Sequence, residues 1–339
     1  MPSAQHRRAA GAVRARRNVW LGWLLLLLGG LPASLTAAEP ARVQVLLSET
    51  GGAYGELLEA LQERLDIEAP GRIDLQSQLV PEAIGDRREL FASRPALIVS
   101  VGIRASALAL QDADDLPVLS LLVPYDSYTS LLENAAAQSG HRLPHSAIYL
   151  DQPLARQLAL LQLVLPKARR IAALAGPHSA QRAGELGALC LQRGLKLTTE
   201  TVGATDNPVP VLSQLLERAE VLLALPDPAV FNRNNLQAIL LTTYRSGVPV
   251  VGFSQAYVRA GALAAVHSTA GQIGTQAGEW IAELANGGRW QLGTPRYPGY
   301  YSVAVNAQVA QTLGINVADE HTLLERLRAL EEQRDGLRP

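Results

Sequence analysis

Short apolar runs alternate along this chain with longer segments of helical spacing, and the two periods assign the elements. Residues 43–48 form a near-continuous apolar run that reads as a strand, and residues 54–65 follow with Leu57, Leu58, Leu61 and Leu65 on one helical face. Runs at 73–80, 96–102 and 118–123 predict three more strands, each bounded by Pro, Gly or charged residues. Unbroken stretches of Val, Ile and Leu suit strands buried on both faces, which is the situation in a parallel sheet.

The rhythm restarts after a polar passage, residues 135–152, punctuated by Gly140 and Pro144 and read as containing the first crossing between two halves. Residues 153–165 predict an amphipathic helix stopped before Pro166, and 170–175 a strand followed by a helix over 180–193. Strands at 196–202, 221–225 and 248–253, with helices at 209–219 and 234–246, complete a second βα set with its own core. Beyond it come a small-residue apolar run at 261–266, a helix at 270–284, a Pro/Gly-rich stretch at 287–299, a strand at 301–305 and a short helix at 309–313 ended by Gly314. Leu323, Leu324, Leu327 and Leu330 recur at helical spacing among charged residues, as in a terminal helix packed on its own lobe.

The first 38 residues stand apart: Arg7, Arg8, Arg14, Arg16 and Arg17 precede an apolar run over 19–31 that contains five consecutive leucines. That run falls short of the roughly 20 apolar residues that span a bilayer and fits a signal-peptide core, with Thr36 and Ala38 suiting a cut before Glu39. An uncleaved anchor is the other reading of the same segment. Removing the leader leaves 25 basic against 31 acidic residues, a mildly acidic protein without the clustered positive charge that nucleic acid requires. Cys190 is the only cysteine, so the expected periplasmic protein has neither a disulfide nor a lipid-bearing cysteine at its amino terminus.

From residue 225 onward the sequence resembles a known family. Leu225, Pro226, Asp227 and Pro228 end one strand; Val248, Pro249, Val250, Val251 and Gly252 form the next; Gly261, Ala262 and Leu263 follow, Gly274 and Gly278 punctuate a helix, and Val305, Asn306, Leu313, Gly314 and Ile315 close the pattern. With Arg156, Gln157, Leu158, Pro166 and Arg170 earlier, this order is similar to the ABC-transporter substrate-binding family that includes tryptophan- and tyrosine-binding members. The likeness covers roughly residues 150–316 and reaches the first half only through its rhythm. It implies an α/β fold of two doubly wound parallel-sheet lobes joined by a hinge, the type 1 periplasmic-binding fold. Lobe 1 is then expected at 39–148 and about 267–300, lobe 2 at about 149–266, the last crossing and short helix at 301–316, and the terminal helix and tail at 317–339. It further implies a monomer without cofactor or metal, a small-molecule ligand of amino-acid-like or aromatic chemistry, and an ABC permease as partner. Where family members often carry an Asp-Pro step and a glycine after the fourth strand, this chain has Pro124, Tyr125, Asp126, Ser127 and Tyr128. The two tyrosines suit stacking on an aromatic or sugar-like ligand, or capping of the lobe edge.

Ligands of doubly wound sheets sit beyond the carboxyl ends of the strands, on loops and helix amino termini. In the first lobe this selects Ser48 and Glu49, then Gly102, Arg104 and Ser106, then Tyr125 and Asp126; Arg104 at a helix start would suit a carboxylate. In the second lobe it selects Gly176 and His178, Asp227, Phe253 and Ser254. Asp227 looks placed either to hold a ligand amine, as the resemblance implies, or to cap the following helix.

An enzyme is the competing class. Gly252, Phe253, Ser254, Gln255 and Ala256 approach the nucleophile elbow of serine hydrolases, but the final glycine is missing and the partners would be Asp319 and His321 in the terminal segment. No dinucleotide fingerprint or phosphate loop is present, and the six histidines show no metal-ligand spacing. No catalytic residue is therefore assigned. A periplasmic sensor that presents its ligand-bound state to a membrane receptor shares every feature of the transport reading.

Overall fold

The apolar runs pair as two sheets, parallel but for one edge strand of the second, in the computed structural model, which describes residues 39–81, 90–139 and 144–335. The chain divides into two units, Met1–Glu39 and Pro40–Pro339. The segment expected to be a leader, with its arginines, leucine core and cleavage site, lies in residues 1–38, outside the described residues.

Lobe 1 contains β1 (Ala41–Leu47), α1 (Gly52–Glu68), β2 (Ile73–Leu79), β3 (Leu97–Val101), α2 (Ile103–Asp112), β4 (Val118–Val123), α3 (Tyr125–Ser139) and β5 (His145–Tyr149). Its strands run parallel in the order β2-β1-β3-β4-β5. Alternate residues of each central strand enter different cores: Val43 and Val45 pack with Leu57 and Leu61 of α1, whereas Leu46 and Ile98 pack with Leu108 and Ala109 of α2. Burial on both faces is why these strands read as unbroken apolar runs.

β5 corrects the expectation of a polar linker over 135–152. Ser146, Ala147, Ile148 and Tyr149 are all buried, and the strand pairs with β4. Its apolar part is only three residues long and follows Pro144 and two polar residues, too weak a period to stand out. The first crossing is confined to residues 150–153.

Lobe 2 contains α4 (Leu154–Val164), β6 (Arg170–Ala175), α5 (Ala180–Gln192), β7 (Lys196–Thr201), α6 (Pro208–Leu216), β8 (Val221–Leu223), α7 (Arg233–Arg245), β9 (Val250–Gly252), α8 (Gln255–Ala260) and β10 (Ala264–His267). The chain then returns to lobe 1 as α9 (Ala270–Gly287), crosses again, and adds β11 (Ser302–Val305), α10 (Ala307–Thr312) and α11 (Glu320–Asp335) to lobe 2. The second sheet has the order β11-β10-β9-β8-β6-β7, with β11 antiparallel to its neighbour.

Two glycines let α9 seat directly on α1. A Cβ at Gly274 would run into the Leu57 carbonyl, and one at Gly278 would lie 2.7 Å from the Arg64 Cβ. The helices thus meet backbone to backbone, and Ile273, Ala277, Trp280 and Ile281 of α9 complete the lobe-1 core. At the far end of the chain Leu323 and Leu327 of α11 are fully buried in the lobe-2 core.

Candidate functional site

The residues selected from the sequence fall into separate groups at the carboxyl ends of the strands. In lobe 1, Ser48 Oγ accepts a hydrogen bond from Ala105 N at 2.9 Å, joining the end of β1 to the start of α2. Gly102 sits beside it with φ 86°, and a Cβ there would lie 2.7 Å from both Ser48 Oγ and the Tyr54 hydroxyl, so the position demands glycine twice over. Glu49 is exposed at the same mouth; burial, and then the Glu49 charge, push the Tyr54 hydroxyl above its ordinary pKa. Leu79 and Ile103, each 49% exposed, present apolar surface at the ends of β2 and β3.

Two residues of this group have structural duties. Ser106 is fully buried and its hydroxyl lies 3.0 Å from Ser100 Oγ, which in turn lies 3.0 Å from Ser120 Oγ. It is a polar residue of the core, not of the mouth. Arg104 donates to the Val80 carbonyl at 3.0 Å, and so pins the end of β2.

In lobe 2 Asp227 is 2% exposed and accepts four hydrogen bonds: from His178 N at 3.0 Å, Ser179 N at 2.8 Å, Ser179 Oγ at 2.8 Å and Ala229 N at 2.9 Å. The carboxylate therefore ties the loop before α5 to the loop after β8, and the negative charge sits at the amino end of α5, where the helix dipole favours it. Gly176 is small for the same reason, since a Cβ there would lie 2.5 Å from Asp227 Oδ1. The His178 side chain stays exposed. Phe253 belongs to a ring cluster with Tyr257 and Phe231, at 4.3 and 6.0 Å between centroids. Ser254 caps α8 by accepting from Tyr257 N at 3.3 Å. Asp319, the acid a hydrolase reading would recruit, caps the start of α11 through Thr322 N at 2.9 Å.

Tyr125 and Asp126 stand where the two lobes meet, and most of their neighbours there went unselected by sequence reasoning. Tyr149 and Tyr297 join Tyr125 in a ring cluster, with centroids 5.2 Å apart for Tyr125–Tyr149 and 5.0 Å for Tyr149–Tyr297. Tyr128 extends the cluster into the lobe-1 core, with its ring 5.8 Å from that of Tyr149 and its hydroxyl 2.9 Å from His145 Nδ1. Against the tyrosine cluster lies Arg182, the third residue of α5 and only 1% exposed. Its guanidinium carbon is 5.4 Å from the Tyr125 ring centroid, and its donors reach the Tyr297 hydroxyl at 3.5 Å and the Gln152 carbonyl at 3.4 Å. Both bonds are long, and Arg182 Nε has no partner among the described residues.

Carboxylates surround this cation without gripping it. Asp151, buried at the first crossing, accepts from Tyr125 N, and burial raises its pKa against the lowering effect of Arg182. Asp126 is pushed up to about 6, first by burial, with Arg182 opposing and Asp151, Asp227 and Glu185 adding to the rise. Burial likewise raises Tyr149, to about 12, and Tyr297. The junction thus offers an under-bonded guanidinium, a carboxyl group that ionises with difficulty and a wall of aromatic faces. Among the described residues no group of three or more His, Cys, Asp and Glu side chains is arranged to hold a metal. The readable signal for Arg182 was its position: an arginine in the first turn of a helix opposes the dipole and calls for a reason.

A sequence profile described as ABC transporter substrate binding protein matches residues 55–326. Curated proteins give no match. Among solved structures, a ligand-free, open substrate-binding protein with adhesive properties from Clostridium difficile superposes with a TM-score of 0.66 at 17% identity, covering 82% of this chain and 96% of that one. A domain from Streptococcus pneumonia in complex with L-Trp gives 0.57 at 18% identity, covering 84% and 98%. A periplasmic ribose ABC transporter protein from Conexibacter woesei gives 0.53 at 13% identity, covering 83% and 96%. At these identities the superpositions speak for the fold, which is that of type 1 periplasmic-binding proteins.

Proposed function

Because the chain belongs to the family of ABC transporter substrate-binding proteins, we propose that it captures a small organic ligand between its lobes in the periplasm and delivers it to an ABC permease. The observation that carries this reading is Arg182: a guanidinium buried at the lobe junction whose Nε has no partner, and whose other bonds are long and to neutral oxygens, among the described residues. Burying such a group is costly unless its donors are met, and an acceptor or anionic group of a ligand meets them. Asp126 on the facing lobe would take a cationic or hydroxyl group, and Tyr125, Tyr149 and Tyr297 would stack on its apolar part. Ser48, Glu49 and Gly102 would line the lobe-1 mouth, while Gly176, His178 and Asp227 would shape the loop that carries α5.

The test is a thermal-shift screen of the mature protein against amino acids, aromatic compounds, sugars, nucleosides and short peptides. A ligand at a hundredfold excess over its Kd, binding only the folded state, stabilises by about 2.7 kcal/mol. The reading expects at least one such compound, with the shift lost in Arg182→Met. Ester hydrolysis that disappears in Ser254→Ala would overturn it in favour of an enzyme.

A further inference from the structure

The chain passes between the lobes at residues 150–153, 268–269 and 288–301, and one side chain gathers all three passages, two directly and one through Gln152. Arg156 of α4, 9% exposed, donates from Nη1 to Gln152 Oε1 at 2.7 Å in the first crossing and to the Pro298 carbonyl at 2.8 Å in the third. Gln152 extends the chain of bonds: its Nε2 donates to Ser268 Oγ at 2.8 Å, and Ser268 Oγ donates to the Tyr300 carbonyl at 2.6 Å. The remaining donors of Arg156 hold Glu331 of α11 in a two-point grip, Nε at 2.6 Å and Nη2 at 3.0 Å. Tyr301 completes the arrangement, with its ring 3.8 Å from the guanidinium carbon and its hydroxyl donating to Glu331 at 2.7 Å.

We propose that Arg156 and Glu331 are positioning residues that lock the three crossings to lobe 2, so that the carboxyl-terminal helix governs how the lobes open and close. The lobe-1 ends of the crossings are fixed separately. Leu150 N bonds the Val123 carbonyl at 3.0 Å, and Arg296 exchanges bonds with Ala147 and Tyr149 of β5 at 2.8 and 3.0 Å while stacking 3.9 Å over Trp280. Thr269 caps α9. Bending is thereby left to the links Asp151–Gln152, Ser268–Thr269 and Tyr297–Pro298. The bonds that cross that line come from long side chains: Arg182 of α5 to the Tyr297 hydroxyl at 3.5 Å, and from α9 Gln272 to Ser302 Oγ at 3.0 Å, Gln276 to Gly299 N at 2.7 Å and Glu279 to the Tyr300 hydroxyl at 2.7 Å. Such contacts follow a rotation through several χ angles, whereas a two-point Arg–carboxylate grip does not. The clamp reaches the cleft through Gln152, whose carbonyl accepts from Arg182.

The proposal goes beyond ligand capture and needs no ligand to test. Spin labels at Glu63→Cys on α1 and Ala188→Cys on α5, both exposed positions, report the interlobe distance in the mature protein carrying Cys190→Ser. The expected result is one narrow distribution in this parent, a broadened and displaced one in Glu331→Gln, and a smaller change in Glu331→Asp, which keeps the charge. Leu323→Ala serves as the comparison: it weakens the seating of α11 two turns away, and is expected to lower the melting temperature without broadening the distribution. The proposal is overturned if Glu331→Gln leaves the distribution unchanged, or if Leu323→Ala broadens it as much.

Discussion

Replacing Asp227 by alanine separates a structural carboxylate from a ligand-binding one without any knowledge of the ligand. The substitution releases four donors that now meet at one carboxylate, three of them main-chain N–H groups. A hydrogen bond to a charged group contributes about 1.5–3 kcal/mol, and a donor left buried and unmet costs about 1–3 kcal/mol. The full sum does not apply, because His178 is exposed and Ala229 partly so, and water replaces the carboxylate there. Ser179 is fully buried and keeps the penalty for both its N–H and its hydroxyl. A loss of about 3–5 kcal/mol follows for the ligand-free protein. Urea unfolding followed by far-ultraviolet circular dichroism measures it as a lower midpoint at unchanged slope. Tryptophan fluorescence is the poorer probe, since Trp280 and Trp290 both pack against the lobe-1 core while Asp227 sits in lobe 2. Gly176→Ala should act in the same direction by forcing Asp227 aside. A ligand-free stability within about 1 kcal/mol of wild type in Asp227→Ala would refute the reasoning and return the carboxylate to the list of ligand contacts.

Asp126 provides a pH signature. Its carboxyl keeps a proton near pH 6, where an aspartate of the unfolded chain has lost it, so the stability it lends is present in acid and is lost as the pH rises through about 6. Asp126→Asn should accordingly melt higher than wild type at pH 7, with the difference closing towards pH 4 in a series of thermal melts. Gly274→Ala should destabilise by about 1–3 kcal/mol in urea unfolding, because the new methyl meets the Leu57 carbonyl and α9 must lift from α1. Ser254→Ala should cost about 1 kcal/mol as the loss of a helix cap and leave ligand-induced thermal shifts unchanged.

What could be read from the sequence was local. β1, β3 and β4 announced themselves because burial on both faces favours apolar residues at nearly every position, Gln44, Ser100 and Ser120 being the buried exceptions. The loops carrying Gly102 and Gly176 were legible for a related reason, as strand ends where glycine is needed, and the capping alternative for Asp227 was open. Its main partner was not: the helix that it caps, α5, starts about fifty residues earlier in the chain, whereas capping logic looks only forward. Ser106 was misread because a serine at a helix start usually faces water, and nothing local reveals the column of serines on neighbouring strands that receives it. Arg182 is the extreme case. It borders the apolar face of its helix, four positions before Leu186, but an arginine at the margin of such a face ordinarily turns its head to water; its burial comes from Tyr125 on the other lobe and from Tyr297, 115 positions away.

The return of α9 to lobe 1 determines when the protein can become folded as it is made. Lobe 1 begins at β1 but lacks one wall of its core until residues 270–287 have emerged, and lobe 2 waits longer still, for β11 and for Leu323 and Leu327 of α11. No contiguous stretch of the chain amounts to a lobe. A nascent chain stopped after β10 therefore carries two unfinished cores, each exposing an apolar face, and the pairing of α9 with α1 closes a loop of some two hundred residues. Contacts so distant in sequence form late and slowly. The roughly seventy residues from α9 onward are therefore the segment whose arrival lets both cores close, and one helix in it sets the moment for the lobe that was begun first.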